Sequence, residues 1–412
     1  MQDTQLYQQI LGLVAPWRVT GVSMKRETRT IEVAVECADQ VWCCPECGQR
    51  AHLHDYETRR WRHLDSCQFK TLLVANVPRV KCPDHGTVTV KVPWAEKHSR
   101  FTTYFERLAI DLMLECSISG ACELMGISWA EADGIKQRAV RRGLARKPAA
   151  PMPALCVDEK SFGRGHDYVT LVLRAPGEGA ATVQHIADGR TKEALDGFWK
   201  SLTPEQLGSV RAVAMDMWEP YLLSTRAHLP DADAKIVHDP FHLVRHLNDA
   251  VDAVRRSEHK ALLARGDARL SNSRQVWLYG FERLPEKWEA RMDELRTQKL
   301  KTARAWAIKE MFRELWTCRN LTQGRAFFAD WFAWAIRSRL APIRRAARMM
   351  KRHVEQILTI FVHRLTNAAA EGMNNKIQGL IKKAFGYRNR HRFKTDILFH
   401  CGGLELYPAF SQ

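Results

Sequence analysis

The sequence has no long apolar run and is short of acidic residues relative to basic ones. No stretch approaches about 18 uncharged apolar residues, so a membrane-spanning helix is excluded. The N-terminal residues MQDTQLYQQI lack the basic and apolar segments of a secretion signal, and we therefore expect a cytoplasmic protein without membrane association. In that compartment the 11 cysteines are not expected to form a disulfide framework, and those in close pairs are better explained as metal ligands.

What the chain does contain is an excess of positive charge. Lys and Arg number 63 and Asp and Glu number 46, which leaves a net charge of +17 and favours a polyanionic partner. The hydrophobic share of 45% is typical of globular proteins and excludes general disorder. With 412 residues, the chain has room for about two to four domains.

Changes in the local pattern divide the chain into five segments. β-prone runs broken by Cys, Pro and Gly are followed by a helical period, which ends at the proline-rich stretch 147–153. Beyond that stretch, three strands, a helix and two further strands predict an α/β sheet, and a long helical pattern follows them. We predict a multidomain α+β protein with segments at 1–95, 96–147, 148–242, 243–353 and 354–412.

Two short knuckles in the first segment predict a zinc ribbon. Cys44 and Cys47 form a C-x-x-C pair, and Cys82 and His85 repeat the spacing, with proline after the first ligand in both. Each tight turn presents two ligands to a tetrahedral ion, so we predict one structural Zn²⁺ without an open position for catalysis. The alternatives are a redox dithiol or four unligated groups in loops. The fourth ligand is less firmly assigned than the first three, and the substitutes are Cys43 and Cys67.

Residues 117–142 have the pattern of a helix-turn-helix. A short helix breaks at Gly126, and Ser128 with Glu131 forms a capping box that opens a second helix. The polar positions of this second helix are basic, as expected of a helix that enters a DNA major groove. An αα-hairpin with a basic surface is the alternative. The side chains that we expect to face DNA are Lys136, Gln137, Arg138, Arg141 and Arg142.

Three acidic residues are candidates for catalysis. Asp158 and Asp216 each follow an apolar strand, and a buried carboxylate is costly unless a cation or a donor balances it. A divalent cation removes that cost, and a pair of Mg²⁺ ions can clamp the attacking and leaving oxygens of a phosphoryl transfer. Glu371, on a polar helical face, would supply the third carboxylate. Glu159 and Asp239 are competitors, the first expected to point away from Asp158 and the second to begin a helix.

Several sequence blocks share a common pattern around these residues. They are Val157-Asp158-Glu159, Met215-Asp216-Met217-Trp218, Asp239-Pro240-Phe241-His242, Glu371-Gly372-Met373-Asn374-Asn375-Lys376-Ile377 and Gly386-Tyr387-Arg388-Asn389. Together with the zinc knuckles, they resemble DDE transposases of the ISL-three family of bacterial insertion sequences, over nearly the whole chain. One departure is His85, where family members commonly have Cys.

The resemblance implies a ribonuclease H-like catalytic core preceded by a zinc ribbon and a helix-turn-helix, both of which bind DNA. It also implies that Asp158, Asp216 and Glu371 form the metal-binding triad. The distance from Asp216 to Glu371 is long for a minimal core of this kind, so residues 243–353 are expected to form an all-helical insertion. Residues 148–242 and 354–412 would then be the two parts of the core.

Basic residues crowd the end of the predicted insertion and the segment around and after Glu371. Such side chains suit contacts with DNA phosphates, although a solvated basic face would have the same composition. The residues in these segments that we expect to contact DNA are Arg344, Arg345, Arg348, Lys376, Lys382, Lys383 and Arg388.

The predicted activity is cleavage of the element ends followed by strand transfer. Two Mg²⁺ or Mn²⁺ ions on the triad would activate water, and then the freed 3′ hydroxyl. The expected partners are double-stranded DNA, as terminal inverted repeats and as target, and a second copy of the chain, since two ends must be brought together. A structure-specific nuclease or resolvase with the same core, and a non-catalytic zinc-containing regulator, are the alternatives. Candidates for orienting the triad or a phosphate are Asn367, Asn375 and Lys376.

Overall fold

The computed structural model describes residues 2–39, 41–163, 165, 167–177 and 179–409. The chain forms two compact units: unit 1 consists of the residues up to 147 and those from 383 onward, and unit 2 consists of residues 148–382. Within the described ranges, no helix is both long enough and apolar enough to cross a membrane.

Unit 1 begins with a helix and a six-stranded sheet. Its elements are α1 (Asp3–Ile10), β1 (Trp17–Lys25), β2 (Thr30–Cys37), β3 (Trp42–Cys43), β4 (Arg50–Ser66), β5 (Phe69–Cys82) and β6 (Gly86–Thr89). The strand order is β1-β2-β5-β4-β3, with β6 paired to β5, and only the described β2–β5 pair is parallel. Alternate residues of β2 are buried, as the two-residue period of a strand requires.

A helix-turn-helix follows the sheet. Its helices are α2 (Thr103–Glu115), α3 (Ile118–Met125) and α4 (Trp129–Arg146). Gly126 ends α3 with a left-handed φ of 60°, a conformation that glycine adopts without strain. Ser128 and Glu131 form both hydrogen bonds of the capping box at the start of α4. The predicted pair of helices and the break between them are therefore confirmed.

Unit 2 contains a five-stranded mixed sheet. Its elements are β7 (Ala154–Ser161), β8 (Tyr168–Arg174), β9 (Thr182–Asp188), α5 (Lys192–Ser201), α6 (Pro204–Ser209), β10 (Ala212–Met215), α7 (Glu219–His228), α8 (Ala232–Lys235) and β11 (Ile236–His238). The strand order is β11-β10-β7-β8-β9. Strands β7, β10 and β11 run parallel, whereas β7, β8 and β9 form an antiparallel meander. All five strands predicted for this segment are present.

The rest of unit 2 is helical. Its helices are α9 (Pro240–Leu263), α10 (Arg274–Leu278), α11 (Glu286–Arg296), α12 (Lys301–Arg313), α13 (Leu321–Arg337), α14 (Ala341–Arg352), α15 (Val354–Leu358), α16 (Ile360–His363) and α17 (Ala368–Lys383). Helices α9 to α15 share one apolar core, which includes the fully buried Trp277, Phe312 and Trp331. These aromatic residues therefore stabilise helix packing.

The C-terminal segment differs from the prediction. Residues 354–412 were expected to complete the α/β part, but those from 383 onward belong to unit 1. Helix α18 (Arg390–Cys401) packs against α4, and Phe399 and Leu406 lie in the core of the helix-turn-helix. The reason is apolar burial, because Phe399 and Leu406 share one core with residues of α2, α3 and α4.

Candidate functional site

The four predicted zinc ligands meet in unit 1. Their ligand atoms all lie within 4.8 Å of one another, and in the described part of the chain no other group of three His, Cys, Asp or Glu residues does so. The Cys47 and Cys82 sulfurs are 3.7 Å apart, and His85 Nδ1 is 3.8 Å from Cys44 Sγ and 3.6 Å from Cys82 Sγ. Two sulfurs about 2.3 Å from one tetrahedral ion would be about 3.8 Å apart, so the four groups fit Zn²⁺.

The local backbone prepares this cluster for a cation. Burial would raise the pKa of the Cys44 thiol, but the amides of Cys47 and Glu46 donate to it and, with neighbouring thiols, lower the pKa to about 7. Thiolate is the form that binds zinc. The two knuckles lie in the β3–β4 and β5–β6 turns at the same end of the paired strands β4 and β5, so the ion would fix these two turns to each other.

In unit 2, parallel pairing brings three aspartates to one edge of the sheet. Ala214 of β10 pairs with one residue of β7 and one residue of β11. The residues two positions after these three paired residues are Asp158, Asp216 and Asp239. Asp158 was predicted to end its strand, but β7 continues to Ser161, because its antiparallel pairing with β8 extends beyond its parallel pairing with β10. The edge therefore carries one more carboxylate in register than the two predicted there.

The Asp158 carboxylate is held on both sides. It accepts a hydrogen bond of 2.8 Å from the amide of Glu159 and another of 2.8 Å from Asn374 Nδ2 on α17. Burial, followed by the charge of Glu159, raises the pKa of Asp158 to about 6. Asp216 is held similarly, since its carboxylate accepts a 2.6 Å hydrogen bond from the amide of Met217. Both carboxylates are thus oriented by the backbone that follows them.

Helix α17 carries Glu371 and is tied to β7. Lys160 Nζ donates to the carbonyl oxygen of Asn374 at 3.2 Å and to Gln378 Oε1 at 3.0 Å. Glu371 is exposed, and its negative charge adds to burial in raising the pKa of Asp239. The electrostatic influence of Glu371 therefore reaches the aspartate edge, although the oxygens of Asp158, Asp216 and Glu371 are not gathered within 4.8 Å in the described structure.

His242, one turn into α9, lies between two of the aspartates. Its Nδ1 is 3.4 Å from Asp216 Oδ2, and its Nε2 is 4.0 Å from Asp239 Oδ2. Asp239 is 5% exposed, and its Oδ2 has no hydrogen-bond partner among the described residues. From the sequence, Asp239 ranks below Asp216 and His242 has no predicted role. The D-P-F-H block at the end of a predicted strand is the local signal for both residues.

Further polar atoms without partners in the described structure belong to Asn374 of α17 and to Asn367, just before this helix. Neither polar side-chain atom of Asn367 has a hydrogen-bond partner in the described structure, although the residue is 1% exposed, and Asn374 Oδ1 is likewise unpartnered. Unpartnered oxygens of this kind are suited to bind a cation or a water molecule. Carboxylate and amide oxygens are the ligands that Mg²⁺ prefers, so the donor set at this edge fits a divalent cation.

Three of the five predicted DNA contacts on α4 face the protein instead. Lys136 is 4% exposed and forms an ion pair with Asp396 of α18. Arg138 donates to Glu106 at 2.9 Å, and Arg142, 8% exposed, also donates to Glu106, at 3.1 Å. The prediction that these three cations point outward is wrong, because the packing of α2 and α18 supplies acidic partners that are distant in sequence.

The other predicted contacts are mostly on the surface. Gln137 is exposed but donates to Asp133 at 3.0 Å, and Lys383 donates to the carbonyl oxygen of Glu115 at 2.9 Å. Arg344 is half-buried, and its Nε has no partner in the described structure. The predicted DNA contacts with exposed side chains are Gln137, Arg141, Arg345, Arg348, Lys376, Lys382 and Arg388.

Three family models match the chain. One for the ISL3 transposase domain, described as "Transposase", matches residues 155–397. A model described as "zinc-finger of transposase IS204/IS1001/IS1096/IS1165" matches residues 40–85, which include the zinc cluster. The "Helix-turn-helix domain of transposase family ISL3" matches residues 90–140, which cover α2, α3 and most of α4.

Full-length relatives agree with these matches. The chain is 25% identical over 406 residues to the transposase for insertion sequence element IS1001 of Bordetella parapertussis, covering 96% of this chain and 98% of that protein. It is 29% identical over 374 residues to the transposase for insertion sequence element IS1557 of Mycobacterium tuberculosis, covering 84% of this chain and 82% of that protein.

Proposed function

The chain belongs to the ISL3 family of insertion-sequence transposases, and on that premise we propose that it binds the terminal inverted repeats of its element and catalyses their metal-dependent cleavage and strand transfer. One observation carries the proposal: three aspartates lie in register at the parallel edge of the unit 2 sheet, and the helix with Glu371 is hydrogen-bonded to the same strand as Asp158.

We assign the α/β part of unit 2 to a ribonuclease H-like core. The support is its connectivity, in which the antiparallel meander β7–β8–β9 is extended on the other side of β7 by the parallel strands β10 and β11. Helices α9 to α16 then form an insertion between β11 and α17. The single apolar core that most of these helices share is what an independently packed insertion requires.

Asp158, Asp216 and Glu371 are the proposed ligands of two Mg²⁺ or Mn²⁺ ions. When bound, the ions would neutralise phosphate charge and lower the pKa of water and of a 3′ hydroxyl. The protein's own contribution is orientation: the amides of Glu159 and Met217 hold the two aspartates, and Asn374 fixes Asp158 relative to α17.

The described charges support a role in holding DNA. Helix α14 is strongly amphipathic, with Ile343 and Met350 buried and Arg345 and Arg348 exposed, so its outer face presents cations to phosphates. In unit 1, Arg141 is an exposed arginine of the predicted recognition helix. We also propose a homodimer on DNA, since two element ends must be joined; a monomeric mass for the active end complex would contradict it.

The test is cleavage of a duplex that carries the element's terminal inverted repeat. Asp158→Asn, Asp216→Asn and Glu371→Gln should each abolish cleavage in Mg²⁺ and leave duplex binding nearly unchanged, because the amide keeps the side-chain shape but loses the charge that binds a cation. Asp249→Asn is the matched control, an exposed acid on α9 that should cleave normally.

The alternatives give different results in the same assay. A nuclease or resolvase would cut branched DNA without joining the 3′ end to a target, and a regulator would bind the repeat with no metal-dependent processing at all. Normal cleavage by any of the three variants would remove that residue from the triad.

A further inference from the structure

Arg190 follows β9 in a tightly held turn at the same edge of the sheet. Gly189 adopts a φ of +78°, its amide donates to the carbonyl oxygen of Tyr168 at 2.8 Å, and its own carbonyl oxygen accepts from Thr170 Oγ1 at 2.8 Å. Thr191 then caps α5 by accepting from an amide of its first turn. The backbone on both sides of Arg190 is therefore fixed.

The Arg190 side chain lies between two aromatic rings. Its guanidinium carbon is 4.5 Å from the ring centroid of Tyr168 and 4.4 Å from that of Trp218. Trp218 also donates from Nε1 to the Arg190 carbonyl oxygen at 2.8 Å. Contacts with both rings restrict the rotamers of the cation and leave its N–H groups available to an acceptor in the guanidinium plane.

Among the described residues, no acceptor takes a hydrogen bond from those N–H groups. The nearest carboxylate oxygen, on Glu159, is 4.0 Å away, and among the described residues the guanidinium has no hydrogen-bond partner. The side chain is 32% exposed, so solvent or a ligand can reach it. Glu159 responds to the charges around it: burial and then Asp216 raise its pKa, while Arg190 opposes the rise.

The location of this cation suggests its ligand. Trp218 is two residues beyond Asp216, so Arg190 stands beside an edge where several carboxylates would repel an approaching phosphate. Arginine binds a phosphodiester through two parallel N–H donors, a geometry that a flexible lysine does not reproduce. A pre-oriented guanidinium with unused donors is suited to that contact.

We propose that Arg190, held between Tyr168 and Trp218, forms a phosphate-binding subsite for the DNA strand that is cut. The inference rests on the proposed function, since it needs DNA at the aspartate edge. Its role is to hold the strand in place beside the carboxylates.

The experiment pairs arginine variants with neutral phosphates. Terminal-repeat duplexes carrying a single methylphosphonate at successive positions near the cut are cleaved by the full-length protein and by Arg190→Gln. The variant should lose about 10- to 100-fold in kcat/KM on normal DNA, the range expected for a charged hydrogen bond. At one position, the methylphosphonate should lower the kcat/KM of the natural protein by a similar factor and should not lower that of Arg190→Gln any further.

Two further variants define the chemistry. Arg190→Lys should recover only part of the lost kcat/KM, and its kcat/KM should depend only weakly on the position of the methylphosphonate, because lysine restores the charge without the planar donor pair. Lys200→Gln, at an exposed lysine of α5, is the control and should respond to every methylphosphonate as the natural protein does.

The inference is overturned if Arg190→Gln and the natural protein are equally sensitive at every methylphosphonate position. In that case Arg190 is a counter-ion for Glu159, the thermal midpoint falls, and Arg190→Lys restores both stability and cleavage. Thermal unfolding reports whether Arg190→Gln is folded. If it is not, the methylphosphonate series is compared between Arg190→Lys and the natural protein. Failure of the proposed function is distinct, because then Asp216→Asn would cleave normally.

Discussion

Arg141 and Arg142 are neighbours on α4, yet replacing Arg142 by alanine should reduce stability, whereas replacing Arg141 should reduce DNA binding. The Arg142 side chain is 6% exposed and donates to both carboxylate oxygens of Glu96 at 2.7 Å, to Glu106 at 3.1 Å and to the carbonyl oxygen of Leu406. Arg141 is exposed and has no ion-pair partner among the described residues. One arginine therefore holds unit 1 together, and the other is available to DNA.

The loss of stability expected for Arg142→Ala depends on the carboxylates that lose their partner. Breaking a buried ion pair costs about 3–5 kcal/mol, and the lower end applies here because Glu96 is 36% exposed and Glu106 keeps Arg138. A loss of about 3 kcal/mol corresponds to roughly 100-fold more frequent opening. Arg141→Ala should change stability by less than about 0.5 kcal/mol.

Hydrogen exchange and DNA titration separate the two outcomes. Amide protection across 129–146 should fall for Arg142→Ala and stay unchanged for Arg141→Ala. Binding of the terminal-repeat duplex at several salt concentrations should weaken for Arg141→Ala, with the salt slope reduced by about 1. Full protection of α4 in Arg142→Ala, together with reduced affinity and salt slope, would contradict this prediction, since Arg142 would then contact phosphate.

Three further predictions concern unit 1. Removing zinc with 1,10-phenanthroline should abolish amide protection around the zinc cluster and leave the sheet of unit 2 protected. The lost free energy of zinc binding would be about 10 kcal/mol. Retained protection after complete zinc release would contradict a structural ion. Gly143→Ala should lower the thermal midpoint by an amount equivalent to about 1–3 kcal/mol, because its Cβ would lie 2.6 Å from Leu404 Cβ. Gly134→Ala on the same helix is the control: its Cβ would have only a flexible side chain within 3.6 Å, so this variant should be neutral or stabilising. Burial, with a smaller effect of a neighbouring arginine, lowers the pKa of His63 from 6.5 to about 4. The neutral side chain is therefore accommodated at no cost above about pH 6.5, and about 3 kcal/mol of the free energy of unfolding is lost as the pH falls toward 4. Urea unfolding should show this loss, and His63→Gln should reduce it while keeping a hydrogen-bond partner for Thr102. An unchanged pH slope in that variant would show that other groups cause the acid sensitivity.

Local sequence signals determined much of the architecture. A capping box needs two residues three apart, and a metal knuckle needs two ligands three apart, so both can be read without knowing the fold, and the structure contains both. The strands of unit 2 and the break in the helix-turn-helix likewise depend on short-range apolar patterns and on turn residues such as Gly126. The positions of Asp158 and Asp216 on neighbouring strands follow from the same patterns once the strands are paired.

Contacts between distant parts of the chain decided the rest. Lys136 and Arg142 look like surface cations of a recognition helix, but Asp396 and Leu406, more than 250 residues later, turn them inward. The in-register position of Asp239 depends on β11 pairing with β10, and the stacking of Arg190 depends on Tyr168 at the start of β8 and on Trp218 before α7. Residue type and spacing set which groups can form a helix, cap a turn or bind an ion. Which charged groups remain free to meet DNA depends on how the chain buries apolar surface, and that is a property of the packed structure.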